Sequence, residues 1–208
     1  GTKNTGGLIG YLNNEAEEII DISKVTVTSN INASINESNI SNIGGLIGYN
    51  KNNVTGSIRI HDITLNGSLT QQDYTTNLTV QTSIYSNMGG AIGTNEANMG
   101  TIKLENISSN VICNHTYNIT NTGKLNLVSY TRTGGLIGHN YLTGSGTIKM
   151  DGMVSTNVVT TNPVISTNVT RNTYTGGLVG LTQNNNTGII EVINSYKNNE
   201  VNGIGYVG

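Results

Sequence analysis

The 208-residue chain has no Phe, no Trp, one Pro and one Cys, and only 11% of its residues are charged. Each shortage excludes something. Without large aromatics a conventional globular core lacks its usual fillers, and an apolar set of Ile, Val and Leu suits a thinner, more regular interior. One cysteine, Cys113, cannot build an internal disulfide framework. Ten Lys and Arg against twelve Asp and Glu leave a net charge of −2, so there is no basic footprint for nucleic acid or an anionic membrane. No apolar run approaches the ~18 residues that read as a membrane span, so membrane insertion of this segment is not expected. The opening GTKNT has no signal-peptide pattern.

What is plentiful is Asn (34), Thr (29) and Gly (27). Polar tracts of this kind often stay disordered, because they cannot offset the conformational entropy of folding. Here 35% of the chain is hydrophobic, and those residues recur in order. GGLIGYL begins at Gly6, GGLIGYN at Gly44, GGAIGTN at Gly89, GGLIGHN at Gly134 and GGLVGLT at Gly176, with spacings of 38, 45, 45 and 42. That period is typical of solenoids. The segment preceding the first repeat and the final GIGYVG, which looks like the lead-in to another, suggest an excerpt of a longer protein.

After each glycine segment and a short polar link comes a stretch that aligns without gaps. Its anchor reads Ile20, Ile58, Ile102, Ile148 and Ile190; two residues later it reads Ile22, Ile60, Leu104, Met150 and Val192. Five after the anchor stand Val25, Ile63, Ile107, Met153 and Ser195; eleven after it stand Ile31, Leu69, Cys113, Val159 and Val201. Between the first two columns lie Asp21, Arg59, Lys103, Lys149 and Glu191. Alternating apolar and charged residues mark a strand with one buried face. The step from two to five breaks the alternation and predicts a bend or bulge. Like residues at like positions are what stacked coils require, each strand pairing with the one above and below at about 4.8 Å. The expected fold is therefore all-β: a parallel β-helix, or β-solenoid, of about five coils of 38–45 residues, forming one unit over 1–208. Asn50, Asn95 and Asn140 suggest an asparagine ladder at a turn. Which of Leu46 and Ile47 points inward stays open.

The last unit, GGLVGLTQNNNTGIIEVINSYKNNEVNGIGYVG (Gly176–Gly208), resembles the GLUG motif, with its GGLVG start, its G-x-I and its SY pair. The other four units keep the glycine start and the apolar strand but lose the SY pair. The resemblance implies a large secreted or surface protein of adhesin type, with the repeats forming an elongated stalk. It carries no catalytic residues onto this chain.

The sequence offers little chemistry. Asp21, Asp62, Asp73 and Asp151 fall on different repeats and columns, so no paired carboxylates are expected. His61, His115 and His139 lack metal-ligand spacing, and neither a metal nor a cofactor is expected. Cys113 and His115 share a strand face, but Cys113 falls in an apolar column, where a small buried thiol is expected. The charged column reads as a solvated wall whose ion pairs contribute little. Eleven N-glycosylation sequons occur, at Asn32, Asn36, Asn39, Asn53, Asn66, Asn77, Asn106, Asn114, Asn118, Asn168 and Asn185, only slightly more than so Asn-rich a composition gives by chance. Attached N-glycans are expected only in a secreted eukaryotic protein.

The function expected is a non-enzymatic stalk, adhesin or filament-forming segment, extracellular or at the cell surface, with partners in surface glycans, surface proteins or further copies of itself. One alternative is a carbohydrate-binding or polysaccharide-processing β-helix, which would show a groove with clustered acids and stacked aromatics; Tyr74, Tyr85, Tyr117, Tyr130 and Tyr174 are the candidates for sugar contact. The other is an ice-binding solenoid with Thr26, Thr28, Thr64 and Thr156 in its outward ladders.

Overall fold

The computed structural model describes residues 2–36, 40–76, 83–121, 127–165 and 169–208. The fold is a parallel β-helix: strand follows strand, and every pairing joins equivalent segments of successive repeats in parallel. Three sheets form its walls. Sheet one contains Thr2–Gly6, Ile40–Gly44, Ser83–Gly89, Leu127–Gly134, Val169–Gly176 and Tyr206–Val207. Sheet two contains Ile9–Asn14, Ile47–Asn52, Ile92–Ala97, Ile137–Leu142 and Val179–Asn184. Sheet three is built on Ile19–Asn36, Ser57–Thr76, Thr101–His115, Thr147–Asp151 and Ile189–Ile193, with shorter strands continuing its later rungs.

The glycine segments are the corner between sheets one and two. Gly6, Gly44, Gly89, Gly134 and Gly176 lie in register on sheet one. A methyl group at Gly44 would sit on the carbonyl oxygen of Ile47, three residues on, so only glycine turns the chain this sharply. The amides of the turn still bond up the stack: Leu46 N donates to Ala91 O (2.9 Å), Ala91 N to Leu136 O (2.8 Å) and Leu136 N to Leu178 O (2.9 Å). Leu46 and Ile47 are both fully buried.

The aligned columns are ladders. Ile20, Ile58, Ile102, Ile148 and Ile190 stand in register, as do Ile22, Ile60, Leu104, Met150 and Val192. Ile58, Ile60, Ile102, Leu104, Ile148 and Met150 are wholly inaccessible to solvent; Ile20, Ile22 and Ile190 are partly covered. Val192, read from the sequence as a core position, is 49% exposed because no strand lies beyond its rung. The ladder Ile31, Leu69, Cys113, Val159, Val201 is likewise continuous. The bend between the columns has a defined cause. Lys24, Asp62, Asn106 and Asn194 all take positive φ (56°, 56°, 52° and 49°), with Gly152 at 65° between them in the same column. One left-handed residue per rung turns the wall and restores the inward set.

Asn50, Asn95 and Asn140 do form a ladder, but within the strands of sheet two rather than at a turn. Their side chains are fully buried, with Asn50 Nδ2 donating to Asn95 Oδ1 (2.8 Å) and Asn95 Nδ2 to Asn140 Oδ1 (2.9 Å). Three more asparagines, in a column interrupted by Ala97 and Leu142, close the corner into sheet three: Asn14, Asn52 and Asn184 each donate to a carbonyl four residues on, at Glu18, Gly56 and Gly188.

A tyrosine-lined groove as candidate binding site

Counting from the first glycine of each pair places the site. Two residues before it, Asn42, Asn87, Arg132 and Tyr174 stand in register on sheet one; four before it stand Ile40, Tyr85, Tyr130 and Asn172. Five residues after it, Tyr49, Thr94, His139 and Leu181 stand in register on sheet two; seven after it stand Lys51, Glu96, Tyr141 and Gln183. These side chains face away from the apolar core. The glycine corner brings the two sheets together on that side, so most of them line one groove of about 770 Å³ running along the stack. Its floor is glycine: a methyl at Gly93 would lie 2.6 Å from Ile43 N, and one at Gly138 would lie 2.6 Å from Met88 N.

The sheet-one wall is a pile of rings and one cation. Tyr85 and Tyr130 stack with centroids 5.0 Å apart and planes 10° from parallel, and Tyr174 stacks on Tyr206 at 5.2 Å. The Arg132 guanidinium lies 5.2 Å and 5.6 Å from the Tyr85 and Tyr130 ring centres. Its Nη1 donates to Asn87 Oδ1 at 3.1 Å. Among the described residues no carboxylate reaches it within ion-pair distance, and its Nε has no hydrogen-bond partner, although the residue is only 6% exposed. Burial lowers the Arg132 pKa from its ordinary value, yet a guanidinium stays charged at any physiological pH.

A polar net joins the two walls. Asn87 Nδ2 donates to Asn42 Oδ1 (2.9 Å) and to Thr94 Oγ1 (3.0 Å), and Thr94 Oγ1 donates to Asn42 Oδ1 (2.6 Å). On sheet two the His139 ring stacks on Tyr141 at 5.1 Å. Burial, reinforced by the Arg132 charge and only partly opposed by a hydrogen bond to the Gln183 side chain, pushes the His139 pKa down to about 3, so the ring is neutral. Glu96 accepts a short hydrogen bond from the Tyr49 hydroxyl and pairs with Lys51 Nζ at 3.2 Å. Burial raises the Tyr49 pKa, and the hydrogen bond to Glu96 raises it further, so this phenol keeps its proton.

The other candidates lie elsewhere. Cys113 and His115 share the inner face as alternation requires, but they do not act on each other. The Cys113 thiol points to the Val111 and Gly134 carbonyls, and burial pushes its pKa up to about 12. His115 is fully buried between Thr133 Oγ1 (Nδ1, 2.7 Å), Ser86 Oγ (Nε2, 2.8 Å) and Gln71 Oε1 (Nε2, 3.2 Å), and burial pushes its pKa down to about 3. With Ser86 donating to Gln71 Oε1 (2.7 Å), Nε2–H donates and Nδ1 accepts. Among the described residues no three His, Cys, Asp or Glu side chains gather to hold a metal ion.

The charged column is a solvated wall, with Arg59 Nε on Glu105 (2.7 Å), Lys103 on Glu105 (2.9 Å) and Lys149 on Glu191 (3.7 Å). Thr26, Thr28, Thr64 and Thr156 are exposed, but their two columns also hold Val154 and Asn110. Of the tyrosines singled out for sugar contact, Tyr85, Tyr130 and Tyr174 line the groove, whereas Tyr117 is buried against Ile84 and Ile119. Sequons Asn32, Asn106, Asn118 and Asn185 are exposed, and Asn53, Asn66 and Asn114 are half-buried. Asn36 ends the strand Ile19–Asn36; Asn39, Asn77 and Asn168 lie outside the described residues.

The fold and groove thus define a parallel β-helix with an aromatic, polar channel on one corner. Comparison with family models, with curated proteins and with solved structures finds no match.

Proposed function

We propose that this chain is a non-catalytic, load-bearing segment of an extracellular or cell-surface protein, a stiff spacer of adhesin type. The observation that carries the reading is the unbroken register of fully buried Ile58, Ile102 and Ile148 alongside parallel main-chain ladders in all three walls. Such a body resists bending because each rung is bonded to its neighbours in all three walls. The GLUG-like glycine segments support the surface setting. Glu96, the one carboxylate among the described residues that line the groove, is held by Lys51 and Tyr49, which suits binding better than hydrolysis by paired acids.

Pulling the protein by its two ends in a single-molecule force experiment tests the reading. The expected trace is a series of discrete extensions, each releasing whole turns of the helix. Smooth extension at low force, without steps, would remove the spacer role.

A further inference from the structure

We infer that the groove between sheets one and two is a binding site for a carboxylate-bearing oligosaccharide, with Arg132 as its anion contact. The inference goes beyond the spacer role and does not depend on it. Three observations carry it.

The first is charge. Arg132 is almost fully enclosed, lies in the middle of the groove wall and has no acidic partner among the described residues. The groove's own carboxylate, Glu96, is already neutralised by Lys51 at 3.2 Å. The channel therefore holds one uncompensated positive charge, fixed in place by two tyrosine rings and Asn87. A buried guanidinium without a counter-ion is costly, and a ligand carboxylate that reaches its terminal N–H groups relieves that cost.

The second is the lining. Half-buried phenols and a side-chain amide present the polar edge: Tyr85, Tyr130, Tyr141, Tyr174 and Gln183, above the internally bonded net of Asn42, Asn87 and Thr94. This is a surface of mixed donors and acceptors for a ligand rich in hydroxyls. The walls offer a peptide no free strand edge, because their backbone groups are spent on the rung-to-rung ladders. The tyrosine rings are also stacked on one another, so the groove receives their rims and hydroxyls rather than their faces.

The third is shape. The groove runs along the stack from the rung of Asn42 to that of Tyr174, three spacings at about 4.8 Å, or about 15 Å. That length suits a short chain of linked sugar rings with one acid group opposite Arg132.

Calorimetric titration of the protein with tetragalacturonate, with its fully methyl-esterified form and with tetraglutamate tests the assignment. Tetragalacturonate is expected to bind, and the ester to bind about tenfold more weakly or not at all, since it keeps the hydroxyls and loses the charges. Arg132→Gln is expected to abolish the preference for acid over ester, and Arg132→Lys to retain part of it. If Arg132→Gln fails to fold by circular dichroism, the acid-against-ester contrast in the unaltered protein decides, together with Tyr130→Phe, which removes one hydroxyl and is expected to weaken tetragalacturonate severalfold. Equal binding of acid and ester, no binding of either at millimolar concentration, or tetraglutamate binding as well as the sugar acid would each overturn the assignment.

Discussion

At the scale of single residues, His115 and Ile102 show the two ways in which this interior is specified. His115 has both ring nitrogens hydrogen-bonded inside a polar cluster, and burial holds its pKa near 3 against an ordinary value of 6.5. A histidine whose folded pKa is depressed leaves stability untouched above about pH 6.5 and reduces it as the pH falls from there towards 3, because the unfolded chain takes up the proton first. At pH 4.5 the loss is about 2–3 kcal/mol for His115, and His139, shifted alike, adds a similar amount. Glu105 and Asp62, whose pKa values are held down by their partners, begin to weaken the fold only below about pH 4.5. Urea unfolding from pH 7 to pH 4 should therefore show a decline that begins near 6.5. In His115→Gln that decline should be shallower, although the variant starts from lower stability at pH 7. Ile102 makes the apolar case. It is fully buried between Ile58 and Ile148, so Ile102→Ala is expected to cost about 2–5 kcal/mol. Ile102→Asp, which strands a charge in the column, should unfold the middle rungs by circular dichroism.

At the scale of the elements, the decisive parts are the glycine corner, the asparagine ladder and the left-handed column. Gly93 is trapped between the backbones of neighbouring strands, with a methyl there only 2.6 Å from Ile43 N, whereas a methyl at Gly10 would first meet Asn4 O at 3.1 Å. Gly93→Ala should cost more than about 2 kcal/mol in chemical unfolding and Gly10→Ala clearly less, although the two occupy the same place in their repeats. In the ladder, Asn95 accepts from Asn50 and donates to Asn140. Asn95→Ala leaves both neighbours buried without their partner, and a loss above about 2 kcal/mol is expected.

These elements also show how much the sequence discloses. The apolar columns were legible because burial imposes one chemical type on a position, so Ile20 to Ile190 align by eye. The bend was legible as broken alternation, but its left-handed residue was not, since Lys24, Asp62, Asn106, Gly152 and Asn194 share only a backbone angle. The groove was legible only in three of its tyrosines, Tyr85, Tyr130 and Tyr174, and its other residues were missed for a related reason. Its positions face outward and vary from rung to rung, and two of its columns precede the glycine pair in stretches such as YTRTGG that align only when counted backwards from the corner. Tyr85 and Tyr130, each four residues before a glycine pair, were the available signal.

At the scale of the whole molecule, the ends differ from the middle. Ile189, Val192, Ile193, Tyr196, Tyr206 and Val207 are 40–70% exposed on the last rungs, and Leu8 and Ile19 are 51% and 72% exposed on the first. A rod of this kind hides its middle and leaves apolar side chains and strand edges at its tips. As an isolated 208-residue protein it should associate through those tips, with a sedimentation coefficient that rises with concentration. Ile189→Lys together with Val192→Lys should suppress that rise, and the same concentration dependence in the double variant would place the contact elsewhere.

The glycine floor has one more consequence. Because Gly93 and Gly138 bring the two sheets into contact without side chains, the residues flanking the corner on its outer side point away from the apolar ladders. Each turn of the rod therefore offers four outward positions that the apolar ladders do not dictate, two from either wall, even where neighbours bond one another as Asn42, Asn87 and Thr94 do. Recognition can be rewritten there letter by letter while the scaffold stays as it is, and every added turn lengthens the inscription.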